Sequence, residues 1–355
     1  MSDILQQIAD NLGVGSYPPL NNSYLYAIAD YYGVDTTTSK DLMADILDSV
    51  GGDPSTSSDY LKDIVLALGG TVTINGNWME AWLAITAAPP AFAFTAKTDN
   101  TGVSTSTQFQ LPLTTSTGLN IVVDWGDATT STITSHTDPA VTHSYASPGT
   151  YSISITGTLP GFQFNLSGDS QKILKISNWG VLDITTNNAF SGCANLTCSA
   201  TDAPTISTND LSQTFANCTN FNGNIGNWDV SAVTNMSNMF ISATAFNQDI
   251  STWDTSTVTN MVSMFQSATA FDQNLGSWDV ANVTNFFNFM RGKTAATFST
   301  ANLDAIYNGW SASGVQPNCT ISFQGAQYTV AGGQAGKNIL LAAPNNWTII
   351  DGGGI

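Results

Sequence analysis

Between residues 190 and 290 the same kinds of side chain return every 25 positions, and this spacing restricts the fold more tightly than any other feature. Phe190, Phe215, Phe240 and Phe265 form one ladder, with Met290 next in line. A second runs through Leu196, Phe221, Phe246 and Phe271, a third through Trp228, Trp253 and Trp278, and a fourth through Val233, Val258 and Val283. Polar ladders keep the same step at Asp229, Asp254 and Asp279 and at Asn235, Asn260 and Asn285. A unit this short cannot bury its own apolar face, so its copies must stack and share one core. Each buried Phe stabilises by roughly 1.5–3 kcal/mol, so a column of them is a large part of the folding energy.

The chain before the ladders reads differently. ILQQIADNLGV, YLYAIADYYGV, LMADILDSVGG and YLKDIVLALGG share a looser pattern, and WMEAWLAITA follows them. Each is preceded by a residue able to cap a helix N-terminus, and four run into Gly13, Gly33, Gly51 or Gly69. Leu5, Ile8 and Leu12 share one helical stripe, as do Leu61, Ile64, Val65 and Leu68. Residues 1–88 therefore read as a module of five short helices that must pack on one another or on a partner. Ala88-Pro89-Pro90-Ala91 reads as a linker. From Phe92 to about Thr158 the period falls to two in QFQLPL, LNIVVDWGD, TSTIT and GTYSISITG, which predicts a β-sandwich of about seven strands. The expected map is a helical anchoring module over 1–88, a β-sandwich over 89–158, a repeat solenoid over 159–300 and a C-terminal capping region over 301–355.

Charge excludes some partners. The chain holds 8 Lys and Arg against 26 Asp and Glu, a formal net charge of −18. Eight cations cannot neutralise a phosphate backbone, so nucleic acid is not an expected partner, nor is an anionic membrane surface. No stretch approaches the length of a spanning helix, so membrane insertion is not expected. Charged residues are only 10%, so Thr, Ser and Asn must make the surface polar. No basic n-region or apolar h-region opens the sequence, and no secretory leader is read there.

Two segments resemble known families. VVDWGDATTST (Val122 to Thr132) and THSYASPGTYSISITG (Thr142 to Gly157) resemble the polycystic-kidney-disease (PKD) domain. The family pattern is W-G-D-G followed by H-x-Y-x-x-x-G-x-Y. Trp125-Gly126-Asp127 fits, Ala128 stands where the last Gly belongs, and His143, Tyr145, Gly149 and Tyr151 fit the second part. The resemblance implies an immunoglobulin-like sandwich used as a spacer or adhesion module. FNQDISTWDTSTVTNMVSMFQSATAF (Phe246 to Phe271) and AFSGCANL (Ala189 to Leu196) resemble repeats of the BspA-like leucine-rich-repeat family of bacterial surface proteins. LDAIYNGWSASG and NNWTIIDGG resemble the cap that follows such repeats. This implies a solenoid with parallel strands and short helical turns, and binding in place of catalysis. The segments of residues 1–88 resemble short repeats at the start of bacteriophage structural proteins.

Chemistry-bearing residues are sparse. Asp124, Asp127 and His143 come closest to a catalytic or metal cluster, but a Trp-Gly-Asp turn is expected to be structural, its carboxylates accepting backbone N–H groups. A calcium ion on Asp124 and Asp127 is the other reading, although no dense Asp/Asn loop surrounds them. The Asp229, Asp254, Asp279 column reads either as turn caps or as an acidic strip for cations, and the Trp228, Trp253, Trp278 column either as core or as a stacking platform for sugars. Cys193 and Cys218 occupy one place on adjacent repeats, either bridged or as a reduced buried pair. No nucleophile–base motif, phosphate loop or zinc pattern occurs, so neither catalytic residues nor a cofactor or metal site is assigned.

These readings lead to a non-enzymatic virion structural protein of a bacteriophage. It would be made in the host cytoplasm without a signal peptide and displayed on the particle surface as a tail fibre, receptor-binding protein or head decoration. Residues 1–88 would dock on other virion proteins, and the solenoid would touch a host surface glycan or protein. A homo-oligomer, a trimer among the options, is expected, although no heptad seam marks it. The alternative is a bacterial cell-surface or secreted adhesin.

Overall fold

The alternation of Phe92, Phe94 and Ala96 with polar neighbours makes β1 (Phe92–Lys97) an amphipathic strand, and its apolar side is buried. The computed structural model describes residues 90–355, so the five expected helices of residues 1–88 lie outside the described residues. Up to Thr158 five further strands follow: β2 (Gln108–Gln110), β3 (Asn120–Asp124), β4 (Thr130–Ile133), β5 (Thr142–Ser144) and β6 (Thr150–Thr158). β2 pairs with β5 alone. β4, β3, β6 and β1 lie side by side in a larger sheet, with antiparallel partners such as Phe94↔Ile153 and Val123↔Ile155. This stretch thus carries six strands in two sheets. No strand forms at Leu111–Leu113 of the QFQLPL run, where Pro112 removes a donor from the ladder and a single bridge joins Leu113 to Phe162.

The larger sheet does not stop at residue 158. β1 also pairs with β7 (Ile173–Asn178), as at Phe94↔Ile176, and β7 pairs in parallel with β9 (Thr197–Cys198). The sheet order is β4-β3-β6-β1-β7-β9, so its sense changes from antiparallel to parallel where the repeats begin. β8 (Asp183–Ile184) and β10 (Thr205–Ile206) form a separate parallel pair. One hydrophobic cluster runs from Phe92 to Trp347. The described chain is therefore β-rich and built from several sheets.

From residue 164 onward the backbone stacks on itself. The N–H groups of Phe190, Phe215, Phe240 and Phe265 donate to the carbonyls of Thr214, Met239, Met264 and Phe289, each at 2.9 Å. Parallel bridges join Asp210 to Asn235, Asn235 to Asn260 and Asn260 to Asn285. Strands were expected here, but the parallel contact shrinks to single bridges. The cause is two columns of left-handed residues: Asn188, Gln213, Asn238, Ser263 and Asn288, and then Gly192, Asn217, Ser242, Ser267 and Gly292, all with positive φ. Extended backbone cannot continue through them, so each coil turns after a residue or two.

The phenylalanines form true columns. Ring centroids are 5.7 Å apart for Phe190–Phe215, 5.8 Å for Phe215–Phe240 and 5.5 Å for Phe240–Phe265, with planes within 9°. Phe221, Phe246 and Phe271 stack beside them at 6.1 and 5.8 Å. Within a coil the two columns touch, Phe240 lying 4.0 Å from Phe246. Such pairs add about 0.5–1.5 kcal/mol each beyond area burial.

Past residue 299 the step lengthens. α1 (Thr300–Ser311) is capped by Ser299, whose hydroxyl accepts the Asn302 N–H, and it buries Leu303, Ile306, Tyr307 and Trp310. Trp310 Nε1 donates to Leu275 O at 2.9 Å, 35 residues back. Phe286 bridges Ile321 in parallel, and β11 (Thr320–Ser322) pairs in parallel with β12 (Thr348–Ile350). The second helix, α2 (Gln334–Leu341), lies between these strands in sequence. Coil-on-coil pairing thus continues through the region expected to cap the repeats.

Candidate functional site

The Trp-Gly-Asp turn joins β3 to β4 and brings its side chains onto β5. Gly126 has φ +78°, and an added Cβ would lie 2.3 Å from Ser152 O, so only glycine fits. Ala128, in the place of the missing glycine, is also left-handed at φ 65°. The Asp127 Oδ2 contacts His143 Nε2 at 2.8 Å, while its Oδ1 accepts both the N–H and the hydroxyl of Thr129. Burial raises the Asp127 carboxyl, but the hydrogen bonds from Thr129 and His143 outweigh it and leave the group below its ordinary value. The His143 ring stacks on Trp125 at 4.7 Å and meets Tyr145 edge-on at 4.5 Å. Tyr145 stacks on Tyr151 and donates to Trp125 O; burial first, then the Asp127 charge, pushes its phenol up. Asp124 turns away to accept the Gly126 N–H at 2.9 Å. Asp124 and Asp127 thus accept backbone N–H groups as a structural turn requires, only Asp127 reaches His143, and among the described residues no group of three or more His, Cys, Asp or Glu could hold a metal ion.

The ladder residues divide by face. Phe190, Phe215, Phe240 and Phe265 are fully buried. Trp228, Trp253 and Trp278 are only 3%, 4% and 1% exposed, which removes the sugar-platform reading because no ring face is open. Trp253 and Trp278 instead donate through Nε1 to Ile225 O and Ile250 O, both at 3.0 Å, whereas Trp228 Nε1 meets no protein acceptor. Asp229, Asp254 and Asp279 lie on the surface and cap turns, accepting the N–H groups of Ser231, Ser256 and Ala281. Hydrogen bonds from the Ser231 and Ser256 hydroxyls and N–H groups hold Asp229 and Asp254 below the ordinary carboxylate value. Cys193 and Cys218 are free buried thiols, and burial pushes both up.

Hydroxyl and amide groups cover the exposed flank. The hydroxyls of Thr234, Thr259 and Thr284 donate to the carbonyls 25 residues before them at 3.1–3.2 Å, and Thr244 and Thr269 do the same on a second line. Asn222 and Asn247 accept the N–H groups of Asn247 and Asp272, and Asp272 accepts that of Ser299. This amide column went unread in the sequence because its last member changes from Asn to Asp.

Two buried lysines were also missed, since a lone Lys reads as surface. The Lys172 ammonium donates to the carbonyls of Ser104, Thr105 and Gln108 and lies 3.7 Å from Asp169. Burial lowers it, and Asp169 partly offsets that. Asp169 in turn accepts the N–H groups of Ser104 and Gln110, which fixes the loop before β2 against the first coil.

Residues 174–305 match a family model described as Mycoplasma protein of unknown function, DUF285. The match covers most of the stacked coils and the first half of α1, a minority of the chain. No curated protein and no solved structure matches.

Proposed function

We propose that this chain is a non-enzymatic virion structural protein of a bacteriophage, displayed on the particle surface and used to touch the host. The finer architecture in this reading is a PKD-like sandwich, a BspA-like leucine-rich-repeat solenoid and its C-terminal cap, preceded by a helical module over 1–88 that docks on other virion proteins. The supporting observation is the exposed flank of the stack. Its Thr and Asn side chains are tied to the neighbouring coil, so a ligand would meet hydroxyl and amide groups already ordered. Many weak polar contacts of that kind gain strength from copy number on a particle. A net charge of −18 opposes clumping of the displayed copies. The expected ligand is a host surface glycan or protein, and the expected state is a homo-oligomer, with a trimer as one form. Mass spectrometry of purified virions, combined with adsorption of the full chain to host cells, tests this. A particle without the chain overturns virion placement, and a chain that neither adsorbs nor competes with infection overturns host contact.

The second reading, a bacterial cell-surface or secreted adhesin, draws on the similarity of residues 174–305 to a family described from Mycoplasma. Immunogold labelling separates the two. Label on bacterial envelopes without infection favours the adhesin, and label on particles favours the virion protein.

A further inference from the structure

The column Cys193, Cys218, Ala243, Ala268 holds a small buried side chain on four successive coils, and the fifth position is Lys293. Lys293 is 1% exposed. Its Nζ donates to the carbonyls of Ala268, Thr269 and Phe271 on the coil before it and lies 5.9 Å from the ring centres of both Phe271 and Phe298.

The inner coils show what the Thr269 carbonyl would otherwise receive. Thr219 O accepts the Ala245 N–H and the Thr244 hydroxyl, and Thr244 O accepts the Ala270 N–H and the Thr269 hydroxyl. Thr269 O should by the same rule accept from Ala295 and Thr294. It does not. The Thr294 hydroxyl has turned to Thr297, and Lys293 Nζ occupies the place at 3.3 Å. The pairing step lengthens on this same coil, where Phe286 bridges Ile321, Met290 N–H donates to Ser322 O and Gly325 N–H donates to Lys293 O.

We propose that Lys293 is the terminator of the 25-residue stack, its side-chain amine replacing the donors of a coil that is no longer in register and so permitting the handover to α1 and β11. The inference does not rest on the functional reading above. Burial lowers the Lys293 amine to about 8, and Asp272 on the preceding coil pulls it back only in part. Among the described residues no other ionisable side chain acts on it, and Arg291, two residues away, is exposed. Between pH 8 and the ordinary 10.5 the unfolded chain holds more protons than the folded one, so this group makes stability rise with pH through that window.

The test uses the full chain in three forms: wild type, Lys293→Met and Lys293→Gln. Hydrogen exchange by mass spectrometry should show peptides over residues 268–298 opening about tenfold faster in Lys293→Met, with those over 190–215 unchanged. Lys293→Gln keeps donors without charge and should retain most of the protection. The folding equilibrium of the wild type relative to Lys293→Gln should grow roughly 100-fold from pH 8 to 10.5. Unchanged exchange in Lys293→Met overturns the proposal, and so do parallel pH profiles. If Lys293→Met does not fold, the Lys293→Gln profile decides alone.

Discussion

The turn of residues 124–129 and the coils of residues 190–290 solve the same problem, holding an exposed loop against a core, by opposite means. In the turn every contact is unique. Trp125, Asp127 and Tyr145 meet His143 by a stack, a hydrogen bond and an edge contact, and Gly126 fits because Ser152 O leaves no room for a Cβ. In the coils one solution is repeated, so that Phe215, Phe240 and Phe265 have nearly the same neighbours at nearly the same distances. Uniqueness concentrates stability in a few side chains, whereas repetition spreads it among nearest neighbours.

The largest effect should come from the middle of the column. Phe240→Ala should cost about 3–5 kcal/mol in urea unfolding, because neighbours on both sides lose a stacked ring. Hydrogen exchange should rise in the coils of Phe215 and Phe265 and stay low in β1, β3 and β6. Uniform opening of the whole chain would remove the contrast between the two regions.

A smaller difference is expected between two tryptophans of one column. Trp253→Phe should cost about 0.5–1.5 kcal/mol more than Trp228→Phe, since only Trp253 loses an indole hydrogen bond, that to Ile225 O, which keeps the Trp228 N–H. Equal losses would show that the indole N–H groups do not anchor one coil to the next.

Acid should act on both regions. Asp127, Asp229, Asp249 and Asp254 are all held below 3.8. A lowered carboxyl contributes stability that is complete above its unfolded value and is lost as pH falls through the folded one. Melting temperature should therefore be flat between about pH 5 and 7 and fall below pH 4. Asp127→Asn should flatten that fall more than Asp254→Asn, because Asp127 also carries the His143 contact while Asp254 is screened by solvent. Melting curves of the two variants between pH 2.5 and about 6 check it.

The smallest effect expected is a gain. Ala128 is left-handed at φ 65° where glycine is strain-free, so Ala128→Gly should stabilise by about 0.5–1 kcal/mol. A loss would mean that the turn tolerates the alanine without strain.

The ladders were legible because repetition shows itself in one sequence: Phe at 190, 215, 240 and 265 needs no structural knowledge to align. Spacing alone could not say which way a column faces. The tryptophans were open to two readings until their burial placed them inside. The left-handed columns stayed hidden because Asn, Gln and Ser alternate at those positions, all serving one backbone need. The solenoid was expected from residue 159, but no ladder reaches its first coil because the step there is irregular, with Leu159 bridging Leu182 and Asp183 pairing Thr205. Asp127 and His143 were named together, but nothing in their spacing announced that Asp124 would point elsewhere.

Removing one whole repeat tests most directly whether equivalent positions stack as interchangeable units. A chain lacking residues 241–265 should still melt cooperatively, with Phe240 brought over Met290 and the amides of β1, β7 and α1 protected as before. A chain lacking only residues 241–252 should lose that protection throughout the stack, since every column would fall out of line. Equal behaviour of the two deletions would contradict the account.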